Sequence, residues 1–273
     1  MSALSHLFDI TGRTAVVTGG AGLLGKQFCT TLADAGASVL IADIDGEAAD
    51  RLANSFTKSG YSSIGCEMDV TSPVSVSRMV EKTIDAYGGV DILVNSAALD
   101  PKIDPNSRFS NSGSFEETSL DVWQQALDVN LTGAMLCCRA VLKAMVERKS
   151  GVIINIASIY GLVAPDQRLY SQAGKPPQYK PAYYSVTKAG ILGLTKYLAS
   201  YYGDKNIRVN ALTPGGVFNE QGDDFVRRYS TRTVLGRMAD LDDMNGALLF
   251  LASDASRYMT GANLIVDGGW TAW

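Results

Sequence analysis

The chain has 273 residues, 46% of them hydrophobic and 19% charged, the balance of a globular protein with a substantial core. Its formal charge of −4 offers no basic face, which excludes nucleic acid and anionic membrane surfaces as expected partners. One histidine, His6, and four cysteines without CxxC pairing (Cys29, Cys66, Cys137 and Cys138) exclude a Cys/His metal site and read as free thiols in a reducing cytoplasm.

The N-terminal stretch MSALSHLFDITGR has neither a basic region nor a continuous apolar run, so no secretory signal is expected. No apolar run is read as long enough to span a bilayer, and a cytoplasmic location without membrane contact is the expectation. Beyond this stretch, short β-branched runs alternate with longer amphipathic ones. TAVVTG, SVLIAD, DILVNSA, GVIINIAS and IRVNALTP are apolar almost throughout, as parallel strands covered on both faces must be, and NLIVDGG forms a last short strand. Helices are predicted near 23–36, 46–59, 72–87, 119–149 and 181–203. The alternation implies right-handed crossovers and a doubly wound, mostly parallel α/β sheet with helices on both faces. No repeat or shift in composition marks a second domain, so residues 1–273 are read as one.

Two segments interrupt the rhythm: 99–118, rich in Pro, Ser, Asn and Gly, and 164–181. Each follows the carboxyl end of a predicted strand, where open α/β sheets bind ligands. The first strand runs into Thr18-Gly19-Gly20-Ala21-Gly22-Leu23-Leu24-Gly25 and then a helix. Glycines there permit a tight turn and close approach of a pyrophosphate to the helix N-terminus, although such a turn can also be purely structural. Asp43, 18 residues past Gly25, is placed to accept hydrogen bonds from adenosine ribose hydroxyls and to repel a 2′-phosphate. With Ile44 next to it, NAD is favoured over NADP as cofactor.

The helix near 181–203 opens with PAYYSVTK, so Tyr184 and Lys188 share one face. An ammonium beside a phenol stabilises the phenolate, which then exchanges protons with an alcohol or carbonyl as hydride moves. At this spacing alone the pair is more often a surface helix contact.

TGGAGLLG, NSAA at 95–98, DVNLTG at 128–133, IASIYG at 156–161, YSVTK at 184–188 and PGGV at 214–217 stand in the order of the short-chain dehydrogenase/reductase family, which the whole chain resembles. The resemblance implies a Rossmann sheet of about seven strands. It makes Tyr184 the acid/base and gives Lys188 the tasks of lowering its pKa and binding the nicotinamide ribose. Ser158 would polarise the substrate oxygen, and Asn130 would hold a water linking Lys188 to solvent. Gly19, Gly22, Leu23, Leu24 and Gly25 would cradle the pyrophosphate. Asp43, Asp69, Val70, Asn95 and Ala97 would shape the adenosine side, with Asn95 organising the central strand. Pro214, Gly215, Val217 and Asn219 would hold the carboxamide. The departures are Leu23 for a glycine, Ser96 for an asparagine, Ala98 for a glycine and Asn219 for a threonine. Tyr184 also lies 26 residues after Ser158, about twice the usual interval, so the segment between carries an insertion.

The inserted loops carry Asp100, Lys102, Asp104, Arg108, Arg168, Lys175 and Lys180. A substrate lid near 217–233 adds Arg227, Arg228 and Arg232. Cationic loops suit a carbohydrate-like substrate, whether sugar, sugar acid or phosphosugar, although the charges also serve solubility. The alternatives are an NAD-using sugar epimerase or dehydratase and a non-catalytic dinucleotide sensor. The resemblance implies a homotetramer, with a dimer as second choice. Trp123, Leu127, Leu131, Met135, Leu136 and Val141 are placed to pack against both core and partner, and Trp270 and Trp273 are interface anchors or plain packing.

Overall fold

The structure, a computed structural model, describes residues 5–100, 114–171, 174 and 177–273. Seven parallel strands form one sheet: β1 Thr14–Thr18, β2 Ser38–Asp43, β3 Ser63–Glu67, β4 Ile92–Asn95, β5 Gly151–Ile156, β6 Ile207–Pro214 and β7 Asn263–Val266. Their spatial order is β3-β2-β1-β4-β5-β6-β7. The helices are α1 Leu23–Asp34, α2 Gly46–Lys58, α3 Pro73–Tyr87, α4 Leu120–Leu127, α5 Gly133–Arg148, α6 Ala182–Tyr202, α7 Asp223–Ser230 and α8 Asn245–Ala252. The doubly wound fold expected from the apolar runs is the one observed.

The strands are apolar throughout because alternate residues feed two separate layers. Ala15 and Val17 of β1 join Phe28, Leu32, Leu248 and Leu251 on one face. Val16 joins Met79, Val141 and Met145 on the other. Local chemistry sets the helix boundaries. The Asp45 carboxylate caps α2 by accepting the Ala48 N–H at 2.9 Å. Ser72 caps α3 with Pro73 in its first turn, and Gly88, at φ 81°, ends it.

Four expectations need correction. β3, SIGCE, went unread because its Ser, Gly and Glu break the apolar run, which an edge strand tolerates. Helices α7 and α8 were not anticipated from their short patterns. The helix expected over 119–149 is interrupted: a π-helical turn, Asp128–Thr132, separates α4 from α5. Together Leu120–Arg148 form a helix long and apolar enough by composition to cross a membrane, contrary to the sequence reading. Its Cys137, Cys138, Val141, Leu142 and Met145 are buried against the sheet, so that apolar face belongs to the core.

The strand order reverses beside β1, whose two neighbours are β2 and β4. Crossovers on either side leave opposite faces of the sheet there, opening a crevice at the strands' carboxyl ends. The glycine-rich turn, NSAA, IASIYG and PGGV all follow strands that end at this edge.

Candidate active site

The crevice is a cavity of about 920 Å³ that runs from the glycine-rich turn to Tyr184. At its first end Gly19 has φ +62°, and a Cβ there would stand 2.8 Å from the Ala97 Cα. A Cβ on Gly25 would stand 2.0 Å from the Gly19 carbonyl oxygen, so helix α1 packs on the turn only because residue 25 has no side chain. Gly22 starts α1 without a side-chain cap. The first N–H groups of the helix, from Leu23, Leu24 and Gly25, are thus left for a ligand in the cavity these residues line. A pyrophosphate fits this cradle in charge and in space.

Asp43 stands beside it. One carboxylate oxygen accepts the Ala21 N–H at 3.0 Å and the other the Asp45 N–H at 3.1 Å, which fixes the group at the cavity wall with lone pairs to spare. Asp69 and Val70 line the same region. One Asp69 oxygen accepts both the N–H and the hydroxyl of Thr71 at 2.8 Å, leaving the second for a ligand. Ala97 lines the wall and donates its N–H to Thr18 Oγ1 at 3.1 Å. Asn95 is not among the lining residues. It is buried, and its amide donates to Asn155 Oδ1 at 2.8 Å and to Cys138 Sγ at 3.2 Å, which ties β4 to β5 and α5 behind the wall. Of its two expected tasks, the geometry shows it in the structural one. Pro214, Gly215, Val217 and Asn219 line the cavity beyond β6. This donor set suits a dinucleotide along its whole length.

At the far end α6 presents Tyr184 and Lys188 one turn apart, facing Ser158 at the end of β5. Ser158 accepts the Tyr160 N–H at 3.2 Å, which turns the chain there. Burial and the charge of Asp100 push the Tyr184 phenol above its ordinary range, and a hydrogen bond from Ser158 pulls it down. Lys188 Nζ donates to the Ile156 carbonyl at 2.8 Å and lies 5.8 Å from the Tyr184 ring centroid. Burial lowers the Lys188 ammonium to about 8, with Asp100 working to raise it. Lys188 is therefore anchored to β5, and in this geometry burial outweighs the acidifying effect expected of it on Tyr184.

Asn130 is buried beside the loop after β4. Its side-chain oxygen accepts the Leu99 N–H at 2.6 Å, and its amide donates to the Leu99 carbonyl at 3.1 Å and to Thr187 Oγ1 at 3.2 Å. The side chain clamps the loop after β4 against α6.

Three features went unseen in the sequence. Lys180 Nζ lies 4.0 Å from the Tyr184 ring centroid and is ion-paired with Asp100. Tyr160, Tyr170, Phe225, Tyr229 and Met238 line the cavity beside Tyr184, with Tyr229 stacked on buried Trp270 at 4.3 Å between centroids. Trp270 is therefore packing under this aromatic wall, whereas Trp273 is exposed. The loop arginines, lastly, are spoken for. Arg168 and Arg232 both pair with Asp166, and Arg227 and Arg228 both pair with Asp224. None of the four lines the cavity. Lys102, Asp104, Arg108 and Lys175 lie outside the described residues.

Comparison with known proteins identifies the family. The family described as Enoyl-(Acyl carrier protein) reductase matches residues 19–271. A hydroxy(phenyl)methylsuccinyl-CoA dehydrogenase subunit from Thauera aromatica is 36% identical, over 95% of this chain and 97% of that protein. D-threitol dehydrogenase of Mycolicibacterium smegmatis is 34% identical, over 97% of this chain and 95% of that protein. Among solved structures, a gluconate 5-dehydrogenase from Burkholderia cenocepacia in complex with NADP and tartrate superposes with a TM-score of 0.86 at 29% identity, covering 99% of each chain. The chain belongs to the short-chain dehydrogenase/reductase family and is an oxidoreductase acting on CH–OH groups of small molecules.

Proposed function

We propose that the protein is an NAD-dependent dehydrogenase of a neutral secondary alcohol, working through Tyr184. The observation that carries this reading is the convergence of the Ser158 and Tyr184 hydroxyls and the Lys188 ammonium at one end of a crevice whose other end is a glycine cradle. A nicotinamide held by the cradle and by Pro214, Gly215 and Val217 would supply the hydride chemistry at the carbinol carbon in either direction. Tyr184 Oη takes the hydroxyl proton of the substrate, and Ser158 Oγ donates a hydrogen bond to the same oxygen as it becomes a carbonyl. Lys188 keeps a positive charge near the phenolate and anchors the end of β5 through Ile156. In reduction the same proton travels back.

NAD is favoured over NADP because Asp43 presents a carboxylate where a 2′-phosphate would sit and Ile44 brings no cation to offset it. The gluconate 5-dehydrogenase neighbour holds NADP, so the fold alone does not choose.

For the substrate, the four described loop arginines are each paired with Asp166 or Asp224 and none lines the cavity, which speaks against their holding a sugar acid or phosphosugar. The walls beside Tyr184 are aromatic, and a neutral ring or polyol packs its C–H face on such surfaces. A neutral carbohydrate-like alcohol therefore stays within the proposal. For assembly we keep a homotetramer as our proposal and a dimer as second choice, with Trp123 and Leu127 half-buried on α4 as candidate contacts. Four unpaired buried cysteines support a reducing, cytoplasmic setting.

The test is a panel of D-threitol, other neutral polyols and cyclohexanols against gluconate and glucose 6-phosphate, each with NAD and NADP, followed by nicotinamide absorbance. Neutral alcohols with NAD are expected to exceed the anions by roughly 10-fold or more in kcat/KM. A preference for the phosphorylated sugar, or for NADP, contradicts the reading.

A further inference from the structure

Two segments absorbed by nothing in the mechanism each bring one charge to the acid/base. Asp100 opens the first, just beyond β4; Lys180 closes the second, two residues before α6. Lys180 Nζ lies 4.0 Å from the Tyr184 ring centroid, nearer than Lys188 at 5.8 Å. Its side chain is 12% exposed and ion-paired with Asp100.

The position is built. Gln167 accepts the Lys180 N–H at 2.8 Å and donates to the Lys180 carbonyl at 3.0 Å, gripping its backbone on both sides. Pro181 follows, with φ held near −66°, and starts α6. A lysine free to swing into water would lose rotamer entropy by lying on a ring. The two-point grip on its backbone and the carboxylate at its tip supply the restraint. A cation against the face of a phenol attracts the ring electrons and gains further as negative charge develops on the oxygen.

We propose that Lys180 is a second positioning lysine of this enzyme, whose ammonium, fixed over the Tyr184 ring by Asp100 and Gln167, stabilises the phenolate through which the substrate proton passes. The proposal rests on the reading of Tyr184 as the proton acceptor. The other groups facing Tyr184 are Lys188 from α6, Ser158 and Tyr160 from the turn after β5, Tyr229 from α7 and Asp100 itself. Tyr170 bonds Tyr160 at 2.9 Å, and Arg232 acts on Tyr160 from beside Asp166. Burial, Asp100 and the two neighbouring tyrosines oppose ionisation of Tyr184. The Ser158 bond pulls the other way, the Lys180 and Lys188 ammoniums lie 4.0 and 5.8 Å from the ring centroid, and Lys188 is spent in part on Ile156. Removing Lys180 also orphans Asp100 beside the ring, so both changes act in the same direction.

The experiment is the pH profile of kcat and kcat/KM for oxidation of D-threitol, or of whichever neutral panel alcohol turns over fastest, in wild type, K180M, K180R and Y184F. NADH affinity serves as the check on folding. In oxidation the rate rises as Tyr184 ionises. K180M is expected to move that rising limb up by about 1 pH unit and to lower kcat about 10-fold at neutral pH, with KM and NADH affinity little changed. K180R, which keeps the charge, is expected to hold the wild-type limb. A K180M limb that stays in place overturns the proposal, as does an equal shift in K180R or a change confined to KM. Y184F separates the two levels: if Y184F is inactive and K180M titrates like wild type, only the role of Lys180 fails. If Y184F turns over normally, the mechanism beneath it fails as well.

Discussion

The tightest contact in the cofactor cradle offers a test in which steric and chemical consequences can be read separately. In Gly25→Ala the new Cβ would lie 2.0 Å from the Gly19 carbonyl oxygen and 2.8 Å from both the Gly19 carbonyl carbon and the Gly20 Cα. All three neighbours are backbone, so no side chain can rotate away. Helix α1 must retreat from the turn by roughly 1 Å or more to reach ordinary contact distance, at an overpacking cost of about 1–3 kcal/mol. For a chain of this size that lowers Tm by roughly 2–4 °C per kcal/mol. The same retreat draws the N–H groups of Leu23, Leu24 and residue 25 away from the pyrophosphate. Hydrogen bonds to charged groups contribute about 1.5–3 kcal/mol each, so loss of one weakens NADH binding by about 10–150-fold. Thermal unfolding and a fluorescence titration with NADH measure the two effects. Gly193→Ala is the control: it lies in α6 with nothing within 4 Å of the new Cβ, and is expected to be neutral or slightly stabilising. Gly25→Ala binding NADH within about 3-fold of wild type would refute the cradle.

Ser158→Ala is expected to lower kcat by about 10²–10³-fold, the scale for losing one donor at a developing charge. Because the Ser158 bond holds the Tyr184 phenol down in the free enzyme, its loss should also move the oxidation limb of kcat/KM to higher pH; an unmoved limb would break that link. Asp43→Ser removes the carboxylate opposite a 2′-phosphate and should narrow the ratio of NADPH to NADH dissociation constants at least ~10-fold, and an unchanged ratio would place cofactor choice elsewhere. The two arginine partners of Asp166 hold its carboxyl at about 2, below the ordinary 3.8. A lowered folded-state pKa stabilises above the unfolded value and is lost as pH falls through the folded one. Asp166→Asn should therefore melt below wild type at pH 7, with the gap closing as pH falls from about 4 towards 2. A gap independent of pH would mean that shape, not charge, holds the loop.

Much of the architecture was legible because it is written in local patterns. A parallel strand buried on both faces needs a continuous apolar run, and β1, β2, β4, β5 and β6 each have one. Gly19, Gly25 and Asp43 were legible from turn geometry and strand position, Tyr184 and Lys188 from helical spacing, and Ser158 only through the family resemblance. What escaped depends on distant pairing. Lys180 meets Asp100 across 80 residues, and nothing local to either says that the pair lies over Tyr184. Arg168 and Arg232 read as free cations until Asp166 is seen between them. Asn130 was found by its motif, but its clamping of the loop after β4 was not. That its amide is used up on Leu99 and Thr187 is a fact of packing. The aromatic wall was invisible for the same reason, since Tyr160, Tyr170 and Tyr229 come from three separate segments.

The central claim is that Tyr184 moves the proton in an otherwise complete NAD site, and Tyr184→Phe examined in both binding and turnover tests it most directly. The phenyl ring keeps the packing among Tyr160, Tyr229 and Trp270 and removes only the hydroxyl. NADH should bind within about 3-fold of wild type while turnover of the best neutral alcohol falls about 10²–10⁴-fold across the pH range. Turnover at the wild-type rate with NADH bound would contradict it.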